Sequence, residues 1–220
     1  MKRLVLLLLV LVILAAVLPV AVLAQSADTI VIRGFGNIAT WNPLMTTDGA
    51  SYQAYSLLWP APFDTDSFTG AAVPSLTSWE ISDDGLTYTF HIRDDANWSD
   101  GTPITSDDMI FSIKAIQSDD IDTALEPQVT LIDQVNKIDD KTYEIVLASP
   151  DCSALSNLSF IRFLPAHKFA ADLSDFETNI ENTNPDISGG PTSSTNGRRM
   201  KRRASTPTLI TSTARRTFHS

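Results

Sequence analysis

The chain of 220 residues has one cysteine, Cys152, so no intramolecular disulfide can form and a disulfide-stapled scaffold is excluded. Histidine is scarce too, and neither His91 nor His167 has a cysteine or second histidine at metal-ligand spacing. Both read as surface histidines, and no metal or cofactor is implied. Basic residues are thin in the central region: residues 28–191 hold all 26 acidic side chains and only seven of the 16 Lys and Arg. That acidic surface favours solubility and argues against nucleic-acid binding. Catalytic signatures are missing as well: no G-x-S-x-G, no Gly-rich phosphate loop and no zinc motif occurs. Ser153, Ser156 and Ser159 have no histidine partner in the sequence. Enzymatic activity is not expected.

What is present begins with MKRLVLLLLVLVILAAVLPVAVLAQS, which has the parts of a secretory signal. Lys2 and Arg3 form its positive end, Pro19 breaks the apolar run, and Val22 and Ala24 place small residues where a signal peptidase reads them, with cleavage after Ala24. The rival reading is an uncleaved anchor, because Leu4 to Ala24 is long enough to span a bilayer. No cysteine follows the signal to carry a lipid.

Past the signal, TIVIRGF (29–35) reads as a strand. Residues 40–59 run from a Pro-containing turn into a helix, with Ser51 as its cap, and 61–76 read as loop. Leu86, Tyr88, Phe90 and Ile92 alternate with polar residues, the period of a half-buried strand. Asp84-Gly85 is a hairpin turn before it, and Trp79 and Ile81 are the inward residues of the partner strand. Asp100-Gly101-Thr102-Pro103 is a turn, Thr105 and Asp108 match a capping box, and Met109, Ile113 and Ile116 share a helical face flanked by Ile110. Residues 132–149 read as two strands joined at Asp139-Asp140-Lys141. SALSNLSF and PAHKFAADL suggest two short helices around FIRFL. The mixture of hairpins and helices is α/β or α+β.

The carboxylate pairs Asp83-Asp84, Asp107-Asp108 and Asp139-Asp140 fall at turns or a helix start, where Asp serves the backbone. The aromatics are dense, with Trp79 and Trp98 read as core residues at strand ends. Trp41 and the following Thr46-Thr47-Asp48 loop are the candidate lining of a cleft, since aromatic walls with a few polar groups suit small-molecule capture.

One stretch carries a family resemblance. VPSLTSWEISDDGLTYTFHIRDDANWSDGTPITSDDMIFSI (73–113) resembles the signature region of the peptide/nickel-type solute-binding proteins of ABC transporters, extracellular binding protein family 5. Small swaps depart from that pattern: Thr77 for Ala, Ile92 for Leu, Ser106 for Ala and Met109 for Val. The likeness runs from about Thr29 to Pro191 and includes WNPL, VNKIDDKTYEIVLASP and LPAHKF. It implies a mixed α/β, periplasmic-binding-protein-like class II fold, with residues 25–191 as the N-terminal part of lobe I, incomplete because family members are more than twice as long. It also implies an extracytoplasmic receptor that captures an oligopeptide or similar solute and delivers it to ABC permease subunits. Membrane contact would then run only through the permease or an uncleaved signal. The alternative is a ligand-sensing receptor feeding a signalling partner, since fold does not fix function.

Residues 192–220 differ, with seven basic residues and no acid. By composition they form a disordered basic tail. With suitable codons, PTSSTNGRRMKRRAS read from the third base of each codon spells Y-I-L-D-E-W-A-P-D-E-K-T-S, as the family continues here. The expectation is a frameshift near Pro191.

Overall fold

The computed structural model describes residues 29–33, 36–46, 48–190 and 209–213. The signal segment with Ala24, the loop residue Thr47 and most of the basic tail lie outside the described residues.

The centre of the molecule is a four-stranded antiparallel sheet. In chain order its strands are β4 (Thr77–Ile81), β5 (Thr87–Ile92), β6 (Ile132–Lys137) and β7 (Thr142–Leu147), and the spatial order is β4-β5-β7-β6. Strict alternation fixes its faces: Tyr88, Phe90 and Ile92 of β5 and Tyr143, Ile145 and Leu147 of β7 are all buried. Phe90 pairs with Tyr143 in register, and their rings stack at 5.0 Å. Phe63 on one side and Phe163 on the other extend this into a run of rings through the core.

Helix α2 (Ser106–Ile116) lies against β6 and β7. Met109, Ile113 and Ile116 are buried on its expected face. Phe111 and Ala115 are buried as well, and Phe111 meets Phe169 at 5.4 Å and Phe176 at 6.2 Å. The helix is therefore sandwiched between the sheet and the 169–176 loop. Ser112 stays buried because its hydroxyl bonds the Asp108 carbonyl at 3.0 Å and accepts from Leu164 N at 3.1 Å.

Around this core the structure corrects several readings. The helix after the first loop is α1 (Gly49–Tyr55), and its cap is Asp48, whose Oδ1 accepts from Ala50 N at 3.0 Å and Ser51 N at 2.9 Å. Ser51 is buried inside it, where its hydroxyl accepts from Ala39 N at 3.0 Å. The 61–76 stretch contains a hairpin, β2 (Phe63–Thr65) with β3 (Ala72–Pro74). The Asp66 carboxylate gathers Phe68 N, Thr69 N and the Thr69 hydroxyl, and Gly70 takes φ +72° at the turn. Ile81 is not inward: it sits beside the turn on the edge strand, 47% exposed, beyond the reach of the core. SALSNLSF does form a helix (Ala154–Leu158), but PAHKFAADL yields only a 3₁₀ turn at Ala166–Lys168. A four-residue helix, Glu126–Val129, and a 3₁₀ turn at Ile180–Asn182 complete the elements of the core.

The first strand, β1 (Thr29–Arg33), pairs antiparallel with β8 (Leu209–Thr213). That places a strand inside the segment composition marked as an unstructured tail. LITST is rich in β-branched residues, which suit an extended backbone.

The opening turn of α2 joins several elements. Asp108 is 3% exposed, yet each of its oxygens is bonded: Oδ2 accepts from Thr105 N at 2.9 Å and Trp98 Nε1 at 3.1 Å, and Oδ1 from Ala166 N at 2.9 Å. Burial pushes its carboxyl above the ordinary range, against the pull of those three donors. Nearby, Lys141 Nζ donates to the carbonyls of Arg93, Ala96 and Ile104, tying the turn between β6 and β7 to the strand–helix connection.

Candidate functional site

The segment leading into α1 is anchored by paired asparagines from opposite ends of the described chain. Asn42 and Asn182 are both buried; Asn42 Nδ2 donates to Asn182 Oδ1 at 2.9 Å, and Asn42 Oδ1 accepts from Leu44 N at 2.9 Å. Asn182 in turn donates to the carbonyls of Phe176 and Glu177. Its own carbonyl accepts from Trp41 N at 2.8 Å and from the Thr40 hydroxyl at 3.0 Å. Buried amides with these bonds made are rigid, because any displacement leaves a polar group unpaired in the core.

On that anchor sit the candidate residues. Trp41 is half-buried against the core, and its carbonyl accepts from Trp59 Nε1 at 2.6 Å. Thr46 and Asp48 are joined by a hydroxyl-to-carboxylate bond of 2.8 Å. Thr46 is half-buried and Asp48 exposed. Hydrogen bonds from Ser51 and its neighbours hold the Asp48 carboxyl below its usual range, so it is an anion held by a helix start. The structure thus brings Thr46 and Asp48 into contact and ties Trp41, on the same segment, to Asn182 and Trp59. Asp48 carries a structural duty that composition alone did not reveal.

One turn along α1 from Asp48 is Tyr52, 44% exposed, and Arg162 lies over its ring, with Cζ 5.9 Å from the centroid. Arg162 Nη2 reaches the Tyr52 hydroxyl at 3.5 Å, and its Nε is buried with no hydrogen-bond partner. Tyr55, edge-on to Tyr52 at 5.4 Å, is pushed up to about 12 by burial, with Arg162 opposing the shift. Reading the sequence missed this pair. The available signal was a lone arginine inside the apolar run FIRFL, but 110 residues separate it from Tyr52.

The other polar clusters have structural partners. Asp84 and Asp139 close turns, the first through Ser82 and Leu86 N and the second through Lys141 N. Asp107 and Asp140 share Lys137, at 2.7 and 2.8 Å. His167 faces Asp100 at 3.0 Å, and His91 lies beside the Thr142 hydroxyl at 3.4 Å. A shallow cavity of about 420 Å³ lies along β4, β5 and β7, lined among others by Ser78, His91, Arg93 and Lys141. It includes none of the candidate residues, and its two strong cations are already engaged, Arg93 by Asp95 and Lys141 by carbonyls. Among the described residues no group of three His, Cys, Asp or Glu could hold a metal, and no helix is long and apolar enough to cross a membrane.

Comparison with known proteins gives consistent findings. A family model described as bacterial extracellular solute-binding proteins, family 5 Middle, matches residues 73–191. The chain is similar to a "probable peptide ABC transporter periplasmic-binding protein" of Sinorhizobium fredii, 31% identical over 137 residues, covering 62% of this chain and 25% of that protein. It is also similar to the dipeptide-binding protein of Escherichia coli, 29% identical over 157 residues, covering 60% and 28%. Among solved structures, NikZ of Campylobacter jejuni, in complex with Ni(L-His), matches with a TM-score of 0.65 and 29% identity, over 76% of this chain and 33% of that one. The oligopeptide-binding protein AppA of Bacillus subtilis, in complex with a nonapeptide, matches with a TM-score of 0.65 and 26% identity, over 73% and 32%. The chain thus spans about a quarter of the length of these curated relatives and about a third of these solved structures.

Proposed function

Since the chain belongs to the bacterial extracellular solute-binding proteins of family 5, we propose that it serves solute capture for an ABC importer, outside the cytoplasmic membrane. The observation that carries this reading is the family match across 73–191, in a fold shared with binding proteins solved around a nonapeptide and a nickel chelate. The solutes would be oligopeptides or similar molecules, and the partners ABC permease subunits. No bond is made or broken by such a receptor; its free energy comes from enclosing the solute between lobes, and closure reports occupancy to the permease. Trp41, Thr46, Thr47 and Asp48 would supply contacts from this part of the molecule, with the Trp41 ring as apolar wall and the Thr46–Asp48 loop as polar rim. The antiparallel sheet with α2 is then the scaffold that holds the Asn42–Asn182 anchor in place.

The proposal extends to the two chain ends. Residues 1–24 act as the export signal, cut after Ala24. The sequence beyond Pro191 is read as the product of a lost base near that codon. Reading the DNA across codons 189–200 checks the second point: a single-base insertion should restore a long family-like frame, and failure to do so refutes it. Solute capture is tested by offering a defined peptide pool to the frame-restored protein and reading the retained masses by native mass spectrometry. Retention of peptides supports the reading; a folded, frame-restored protein that retains none overturns it.

A further inference from the structure

We propose that Arg162, with Tyr52 beside it, is a carboxylate-recognition point of the solute site, so that solutes with a free carboxylate, such as a peptide C-terminus, are preferred. This deepens the solute-capture reading above and rests on it. A guanidinium offers five N–H donors. Among the described residues Arg162 uses one, at the outer limit of hydrogen-bond length, and its buried Nε has no acceptor. Acids are not lacking: the sequence holds 26 of them, and Arg93 is bonded by Asp95 through both Nε and Nη2, at 3.0 and 2.7 Å. No described carboxylate pairs with Arg162. An arginine kept half-buried with one long hydrogen bond and no carboxylate loses most of the hydrogen bonds water would give it, so its place makes sense if a carboxylate arrives from outside at the outer guanidinium nitrogens.

The surroundings suit that acceptor. Buried Ile161 and Phe163 fix the backbone on either side of Arg162, and Phe163 N is tied to the Pro60 carbonyl at 3.0 Å. Tyr52 remains 44% exposed with its ring against the guanidinium, and gives an apolar flank to a planar, charged fork. A fork with an apolar flank favours a flat carboxylate held by two parallel bonds, which a lysine could not reproduce. Tyr52 lies one helical turn from Asp48, so the cation stands beside the segment already proposed to line the site.

The test uses the full chain and one tripeptide pool prepared in two forms, with free C-terminal carboxylates and with C-terminal amides. Retention is read by native mass spectrometry, and the Arg162 Nε–Hε resonance is followed by NMR. The free-acid pool should bind about tenfold or more tighter than the amide pool and shift the Arg162 resonance. R162Q should erase that preference, bringing the free-acid pool down to the level of the amide pool, and R162K should keep only part of it. If both pools are retained equally and the resonance does not move, the Arg162 proposal is wrong while solute capture stands. If neither pool is retained by the wild-type chain or its frame-restored form, solute capture itself falls, and this proposal with it. The acid–amide comparison is made on wild-type protein, so it holds even where a variant fails to fold.

Discussion

Replacing Asp108 isolates the contact on which the strand-to-helix junction depends. Its two oxygens accept from Trp98 Nε1, Thr105 N and Ala166 N, and the residue is 3% exposed. In D108A three donors from three separate segments lose their acceptor in a site water does not reach. Each orphaned buried donor costs about 1–3 kcal/mol. One term opposes this loss: burial disfavours the charged carboxylate, and removing it relieves that cost. Allowing for that offset, D108A should lower unfolding stability by about 3–5 kcal/mol. D108N should cost nearly as much, because its amide N–H₂ would face donors on one side. The control is D107A, one residue away. Asp107 is 58% exposed and pairs with Lys137 at the surface, so its loss should cost under about 1 kcal/mol. Urea denaturation followed by tryptophan fluorescence measures all three, with Trp98 as a direct reporter. Should D108A and D107A agree within about 1 kcal/mol, the reasoning about buried acceptors in this fold is refuted.

Three further outcomes are expected. Gly189 and Gly190 have no room for a side chain: a Cβ at Gly189 would stand 2.7 Å from Trp98 Cζ3, and one at Gly190 would meet the Leu57 carbonyl. G190A, which presses on backbone, should be the more damaging, and each should lower Tm by several degrees, from roughly 1–3 kcal/mol of overpacking, in a thermal melt. N182A removes the partner of Asn42 and should cost roughly 2–3 kcal/mol, with hydrogen exchange accelerating first across residues 40–45. Burial, aided by neighbouring Asp186, raises Glu181 from 4.5 to about 7, while Lys168 keeps Asp186 ionised. A raised acid holds its proton in the folded state and loses it in the unfolded one. Its contribution is therefore complete below about pH 4.5 and fades as pH rises towards 7. Tm measured across that window should fall less steeply in E181Q than in wild type.

Local rules made much of this protein legible. Period-two alternation specifies the faces of β5 and β7 because successive side chains of a strand must point to opposite sides. Asp84-Gly85 and Asp100-Gly101 specify their turns because both glycines need the left-handed region, with φ +71° and +90°. The Thr105–Asp108 pair specifies a helix start because a helix leaves its first N–H groups unpaired. The ordered motif through 73–113 was enough to place the family.

What sequence could not supply depends on distance along the chain. Asp108 reads as a cap, and only the folded chain adds Trp98 and Ala166 to its duties, the latter from 58 residues away. Asn42 and Asn182 read as ordinary loop residues until folding buries them together across 140 positions. Asp48 looks like a free polar group, yet the start of α1 claims its carboxylate. Arg162 looks like one charge in an apolar run, and only packing reveals that it meets Tyr52 and no acid among the described residues. The physical reason is the same in each case. Turns, caps and alternation are settled by residues within a few positions of one another. The pairing of a buried polar group is settled by whichever distant segment the core brings beside it.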